Sequence, residues 1–373
     1  MKVMTIVGTR PEIIRLSQII PKFDRFFQHV LVHTGQNYDY ELNRIFFEDF
    51  GIREPDHFLG AAGASAAEFM GQIITSIDRV LAEEKPDAVL ILGDTNSALS
   101  SIAAKRRKIP IFHMEAGNRC FDERVPEEIN RRIVDTVSDI NLPYSTIARE
   151  YLLREGFPAD RIIVTGSPMP EVLAAHRARI ERSDVLARLE LTEHNYFVLS
   201  AHREENVDDE HNLLRLATIA NRVAQAYAMP VVFSVHPRTR KRLDTAALEL
   251  HQLVRTMKPL GFSDYIRLQS SARATLSDSG TISEESAILN FPALNLREAH
   301  ERPEAMEEAS VMMTGLDSER VVAGLEILAE QPRGTNRALR VPHDYTAANV
   351  SHKVVRIILS YTDYVNRVVW KKY

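Results

Sequence analysis

Short, continuous apolar runs alternate with amphipathic helical stretches along most of the 373 residues, the pattern of a parallel sheet covered on both faces by helices. The alternation breaks once, at Thr165-Gly166-Ser167-Pro168-Met169-Pro170, and then begins again; paired prolines with a glycine mark a change of unit. These two observations predict an α/β fold of two doubly wound, Rossmann-like domains, residues 1–168 and 169–349, with a ligand cleft between them and a C-terminal helix over 350–373.

The strands expected in the first domain are residues 3–7, 29–33, 88–92, 109–114, 140–142 and 162–164, each an apolar run bounded by polar or turn residues. A charged helical segment then runs to about residue 190. The second set of strands is 196–200, 231–235, 266–268, 293–296 and 311–313. Near the end, Val350, Val354, Ile357, Ile358, Tyr361, Val365 and Val368 recur at spacings of three and four, so one long amphipathic helix closes the chain. Spacing alone leaves open whether it packs locally; the expectation is that it returns to the first domain.

Composition narrows the function classes. Lys plus Arg number 46 against 51 Asp plus Glu, a formal charge of −5, so the chain as a whole offers no field for nucleic acid or anionic lipid. A single cysteine, Cys120, excludes an internal disulfide framework and fits a reducing compartment. No apolar run is long enough to span a bilayer and no leader precedes the first strand, so a cytoplasmic protein is expected.

In open parallel sheets ligands bind at the carboxyl ends of the strands. Asp94 and Glu115 each stand at the end of an apolar run, and Glu127 follows Pro126 at the start of a helix near the same edge. Glu127 reads either as a helix-start acid complementing the dipole or as a third member of a catalytic group. Gly8-Thr9-Arg10-Pro11-Glu12 places a guanidinium and free N–H groups at a helix start, a plausible anion site. Ser277-Asp278-Ser279-Gly280-Thr281 offers hydroxyls and N–H groups to a diphosphate, with Glu285 one turn further in for a ribose diol, although a capping box explains the same residue types. The strand that should precede it is poor in β-branched residues. His202 and His236 each follow a strand and have arginine close by; His202 opens a dense polar run and is the stronger candidate. There is no Gly-x-Gly-x-x-Gly fingerprint, no Walker lysine loop and no histidine pair at metal-ligand spacing, so no cofactor or metal is expected.

Gly8-Thr9-Arg10-Pro11-Glu12, Gly93-Asp94-Thr95, His113-Met114-Glu115-Ala116-Gly117, Pro126-Glu127-Glu128, His202-Arg203-Glu204-Glu205-Asn206, Asp278-Ser279-Gly280 and Glu301-Arg302-Pro303-Glu304-Ala305 together resemble the non-hydrolysing UDP-N-acetylglucosamine 2-epimerase family. The resemblance implies a GT-B-like fold, a UDP-sugar in the interdomain cleft and a homodimer. It makes Asp94, Glu115 and Glu127 the acid/base group and His202 the residue beside the leaving diphosphate. Arg10, Ser279 and Gly280 should hold phosphates, Glu285 the ribose, Tyr265 the uracil face and Arg302 the sugar end. The stretches 33–43 and 361–370 look like the branch acting on 6-deoxy sugars, which converts UDP-2-acetamido-2,6-dideoxy-L-talose into UDP-N-acetyl-L-fucosamine for capsule or O-antigen synthesis. Gln36-Asn37-Tyr38 replaces the Gln-His-Arg usual in the glucosamine enzymes, and Arg15 their lysine. The alternative is UDP-N-acetylglucosamine 2-epimerase itself; a glycosyltransferase or a non-catalytic nucleotide-sugar sensor are more remote.

The implied chemistry accounts for the residue types. A sugar C2 proton has no carbonyl beside it, so the C1–O bond must break first to acidify it. Cationic and N–H donors then stabilise the departing UDP, and carboxylates on the two ring faces remove one proton and return another.

Overall fold

The computed structural model describes residues 1–35, 47, 49–235, 237–246 and 248–372. Gln36 to Asn43 and His236, singled out in the sequence, lie outside the described residues, as do the side chains of Glu204, Glu205 and Arg238.

Two compact units are present, Met1–Val172 with Thr346–Tyr373, and Leu173–Tyr345. Each contains one six-stranded, wholly parallel sheet with helices around it. In the first unit the strands are β1 (Lys2–Val7), β2 (Gln28–His33), β3 (His57–Phe58), β4 (Ala88–Leu92), β5 (Ile111–Met114) and β6 (Ile140–Leu142), in the order β3-β2-β1-β4-β5-β6. All five residues of β4 and all four of β5 are buried, as the continuous apolar runs require of strands covered on both faces. The chain builds outward from β1 to β3 and then returns to lay β4 on the other side of β1. The topological switch therefore lies between β1 and β4, where loops diverge at the carboxyl ends and leave room for a ligand.

The second unit repeats this plan. Its strands are β7 (Phe197–Ser200), β8 (Val231–Ser234), β9 (Val254–Met257), β10 (Ala274–Ser277), β11 (Ala293–Asn295) and β12 (Met312–Met313), ordered β12-β11-β10-β7-β8-β9. Here the switch lies between β7 and β10. Phe197, Leu199, Phe233, Leu276 and Leu294 meet helical residues such as Leu216 and Val223 in one buried cluster.

Two strand expectations are corrected. Residues 266–268 belong to the helix Phe262–Ser271; Ile266 is buried on a helical face shared with Phe262 and Gln269, Leu268 is buried on the flank of that face, and a three-residue apolar run does not distinguish helix from strand. Residues 162–164 form no strand, since only Ile162 bridges to Asn141. Two edge strands, β3 and β9, carry too little apolar alternation to be read in advance.

The helix Val350–Val368 belongs to the first unit and buries Val350, Val354, Ile358 and Val365. Lys353 Nζ donates to the carbonyls of Val164 at 3.0 Å and Thr165 at 2.9 Å, and the Ser351 N–H donates to Glu171 at 2.9 Å. No described helix is long and apolar enough to cross a membrane.

Candidate active site

At the end of β1 the backbone runs so close to its neighbours that a side chain is excluded at Gly8: a Cβ would lie 1.9 Å from Ser97 Oγ and 2.2 Å from Thr34 Oγ1. The chain turns directly into the helix Arg10–Leu16, with Thr9 as its extended N-cap and Pro11 in its first turn. Arg10 is partly exposed at this helix start. Glu12 turns back beneath it, and its Oε2 accepts the N–H groups of Gly8 at 2.5 Å and Thr9 at 3.2 Å. Its Oε1 lies 2.6 Å from Thr95 Oγ1. Burial pushes the Glu12 carboxyl up to about 7, although these hydrogen bonds pull the other way.

At the end of β4, Gly93 takes φ of 75°, which glycine adopts without the strain of a Cβ. The next residue, Asp94, is partly exposed, and its Oδ2 accepts Arg131 Nε at 2.9 Å and Nη2 at 2.5 Å. Arg131 Nη1 reaches Glu128 at 2.8 Å. Asn130 donates to the Asp94 carbonyl at 3.0 Å. Arg131 and Asn130 lie on the helix Pro126–Val137, whose first turn carries the partly exposed Glu127.

Glu115, at the end of β5, holds φ of 67°. Glutamate rarely occupies the left-handed region, and such local strain concentrates at functional positions. Its carboxylate lies 3.5 Å from Arg15 Nη1 and 3.5 Å from Asn118 Nδ2, while the Arg15 guanidinium sits over the Tyr144 ring at 5.5 Å. Two positions earlier, within β5, His113 Nε2 donates to the Gly93 carbonyl at 2.8 Å. Its Nδ1 lies 2.9 Å from Asp135 Oδ1, an ion-pair distance without good hydrogen-bond alignment. Asp135 also accepts the Gly117 N–H at 3.2 Å and faces Arg119 Nη1 at 2.8 Å. Burial alone would raise the Asp135 carboxyl; His113 and Arg119 outweigh it and hold the group below its ordinary value.

In the second unit, the switch between β7 and β10 gathers His202 and Asp278. Asp278 is fully buried, and its Oδ2 accepts the backbone N–H groups of His202 and Arg203, both at 3.0 Å, and Asn206 Nδ2 at 3.1 Å. His202 Nδ1 is 3.1 Å from Asp278 Oδ1. Burial again opposes the charged form, but His202 and these donors hold Asp278 down to about 2. The His202 side chain remains 48% exposed. Ser279 and Gly280 are partly exposed just before the helix Ile282–Leu289, and Ser279 Oγ lies 3.0 Å from Thr281 Oγ1. Glu285, on that helix, is buried and accepts Gln269 Nε2 at 2.9 Å. Tyr265 lies on the helix Phe262–Ser271 and packs against the cluster of Tyr196, Val198 and Leu268. Arg302 is buried with its Nε 3.5 Å from Glu284 Oε2, and Glu301 meets Arg297 at 3.2 Å and Arg203 at 3.5 Å.

Of the residues singled out, Arg10, Asp94 and Glu115 stand at the ends of the adjacent strands β1, β4 and β5, and Glu127 joins them through the helix that grips Asp94. His202, Ser279 and Gly280 stand at the ends of β7 and β10; Glu285, Tyr265 and Arg302 follow on helices or loops of that unit. Glu12, Arg131 and Asp135 received no role in the sequence: Glu12 lay inside a motif already marked, whereas nothing in the local pattern showed that Arg131 and Asp135 face inward. Among the described residues, no three His, Cys, Asp or Glu side chains converge as a metal site would need.

The first unit gathers carboxylates with cationic partners at its sheet switch, groups able to transfer protons, and the second gathers N–H, hydroxyl and imidazole groups at its own, groups able to stabilise a phosphate's negative charge. The UDP-N-acetylglucosamine 2-epimerase family matches residues 22–359. A solved structure of UDP-N-acetylglucosamine 2-epimerase from Rickettsia bellii is 50% identical, with a TM-score of 0.92 and the whole of both chains covered. The Methanocaldococcus jannaschii UDP-GlcNAc 2-epimerase, solved with UDP-GlcNAc and UDP, is 32% identical with a TM-score of 0.90, covering 96% of this chain and all of that one. A Pseudomonas aeruginosa relative, UDP-2,3-diacetamido-2,3-dideoxy-D-glucuronate 2-epimerase, is 33% identical over 327 residues, 86% of this chain and 90% of its own length. The chain belongs to the non-hydrolysing UDP-N-acetylglucosamine 2-epimerase family and is a UDP-sugar 2-epimerase, an isomerase, with a GT-B-like pair of parallel α/β sheets.

Proposed function

We propose that the substrate is UDP-2-acetamido-2,6-dideoxy-L-talose, that the product is UDP-N-acetyl-L-fucosamine for capsule or O-antigen synthesis, and that C2 is inverted by elimination and re-addition of UDP. The observation that carries the substrate is Arg15. By the resemblance it stands where the glucosamine enzymes usually have lysine, and its guanidinium contacts Glu115 at 3.5 Å and covers Tyr144. A planar guanidinium at that point shapes the surroundings of a catalytic acid differently from a flexible ammonium. The family includes a relative named for a different 2-acetamido sugar, so a change of sugar within this fold has precedent.

In this reading His202 stabilises the departing diphosphate, and Arg10, Ser279 and Gly280 hold its phosphates. Glu285, oriented by Gln269, takes the ribose diol, Tyr265 faces uracil and Arg302 meets the sugar. Asp94, held in place by two Arg131 nitrogens, either assists the proton transfers or faces the positive charge that develops at C1. Glu115 and Glu127 then perform the two proton transfers. The working assembly in this reading is a homodimer, which light scattering of the purified protein tests.

A second reading, UDP-N-acetylglucosamine as substrate, is favoured by the name of the Rickettsia bellii relative. Purified protein incubated with each UDP-sugar alone and followed by proton NMR separates the two. The 6-deoxy sugar should be used with at least about tenfold greater kcat/KM, because a site without a partner for the C6 hydroxyl buries that group unpaired. Equal efficiency on both sugars, or preference for the glucosamine sugar, refutes the assignment of substrate and leaves the epimerase class standing.

A further inference from the structure

The helix Pro126–Val137 buries one apolar side chain, Val134, in the sheet core and otherwise lines its buried face with polar and charged residues. Ile129 and Ile133 are exposed at 50% and 37%, whereas Glu128, Arg131 and Asp135 are at most 1% exposed. Spacings of three and four put these charged residues on one face. A buried charged stripe is a poor way to hold a helix in place, since well-packed apolar residues of similar volume are often at least as stabilising. The chain contains the isoleucines for that purpose and turns them outward.

What the stripe grips are the two turns that carry the acids. Arg131 binds the Asp94 carboxylate and Asn130 its carbonyl. Asp135 takes the Gly117 N–H, two residues beyond Glu115, and meets His113, which in turn donates to the Gly93 carbonyl next to Asp94. Glu127 rides on the same helix one turn before Arg131. All three acids are thereby referred to one rigid element.

We propose that Arg131 and Asp135 are positioning residues of the reaction, setting Asp94 and Glu115 relative to Glu127. The inference rests on the reading of those three acids as the catalytic group. Arg131 acts by holding one carboxylate oxygen from two nitrogens, and Asp135 by fixing the turn after β5 and, through His113, the turn after β4. Displacing a catalytic group by about an ångström costs on the order of a hundredfold in rate without a matching loss of ground-state binding.

The test compares Arg131→Lys, Arg131→Met and Asp135→Asn with Asp94→Asn, on the 6-deoxy UDP-sugar and on UDP-N-acetylglucosamine in parallel. It reads kcat, KM, UDP affinity by calorimetry, free glycal released per turnover, and melting temperature. Arg131→Met and Asp135→Asn should lower kcat about a hundredfold and Arg131→Lys about tenfold, with KM and UDP affinity within about threefold of the parent and more glycal released. Arg131→Lys and Asp135→Asn that melt like the parent and keep its kcat overturn the positioning role. So do losses of kcat and UDP affinity in equal proportion with a lowered melting temperature, which make the stripe merely structural. An Asp94→Asn protein with full activity overturns the acid assignment itself, and the inference with it.

Discussion

Replacing Glu12 by glutamine should remove a loss of stability expected of the parent protein as pH rises from about 4.5 to about 7. Glu12 is buried, and its carboxyl is pushed from 4.5 up to about 7 by that burial. Because the folded-state value lies above the unfolded one, the folded protein binds the extra proton between them. Its contribution is fully present below 4.5 and is lost as pH rises through about 7. At about 1.4 kcal/mol per pH unit, that interval corresponds to about 3 kcal/mol by which ionised Glu12 weakens the fold. The neutral acid satisfies the same neighbours: Oε2 accepts the Gly8 and Thr9 N–H groups, and a proton on Oε1 is donated to Thr95 Oγ1, since a hydroxyl both donates and accepts. Glutamine reproduces that pattern with Oε1 toward the N–H groups and Nε2 toward Thr95, and it does not ionise. Urea unfolding of both proteins at about pH 5 and about pH 9 measures the difference: the parent should lose up to about 3 kcal/mol more than Glu12→Gln between the two. Identical pH dependence in the two proteins would show that Glu12 is not held as a high-pKa acid.

The remaining predictions concern the acids and the diphosphate side. Glu115→Gln and Glu127→Gln should each lower turnover by about two to four orders of magnitude while UDP affinity measured by calorimetry is retained; parallel losses of both would make the two residues structural. Asp278→Asn should cost about 2 kcal/mol in urea unfolding near neutral pH, the equivalent of a carboxyl lowered from 3.8 to about 2. The sign is opposite to that of Glu12. The Asp278 contribution is present above the ordinary carboxylate range and is lost as pH falls through about 2, so the variant should lose less stability than the parent on acidification. An unchanged acid limb in Asp278→Asn would contradict the account of that carboxylate.

The architecture was largely legible because the central strands announce themselves. Residues 88–92 and 109–114 read as buried parallel strands, and β4 and β5 lie within them. The misses have particular causes. In β9, Val-Arg-Thr-Met pairs with one neighbour at a sheet edge and is only partly buried, so it needs few apolar residues. The run at 266–268 is apolar because one helix face is buried there, and three residues carry too little of the 3.6-residue period to show it. In the site, Asp94, Glu115 and Glu127 were visible as acids at strand or helix ends. What holds them was not, because Arg131 reaches Asp94 across 37 residues and the helix buries its charges in place of Ile129 and Ile133. Periodicity assigns burial by hydrophobicity, so a helix packed by ion pairs is read inside out.

The elimination route is tested most directly by running the epimerisation in heavy water and examining C2 of the product by NMR and mass spectrometry. If C1–O cleavage precedes return of a proton by an acid on the opposite ring face, the hydrogen restored at C2 comes from a group that exchanges with solvent. Every product molecule should then carry one deuterium at C2, and prolonged incubation should release small amounts of free UDP and glycal. Product that keeps its original hydrogen at C2 would contradict elimination and re-addition, and with it the roles assigned to Glu115 and Glu127.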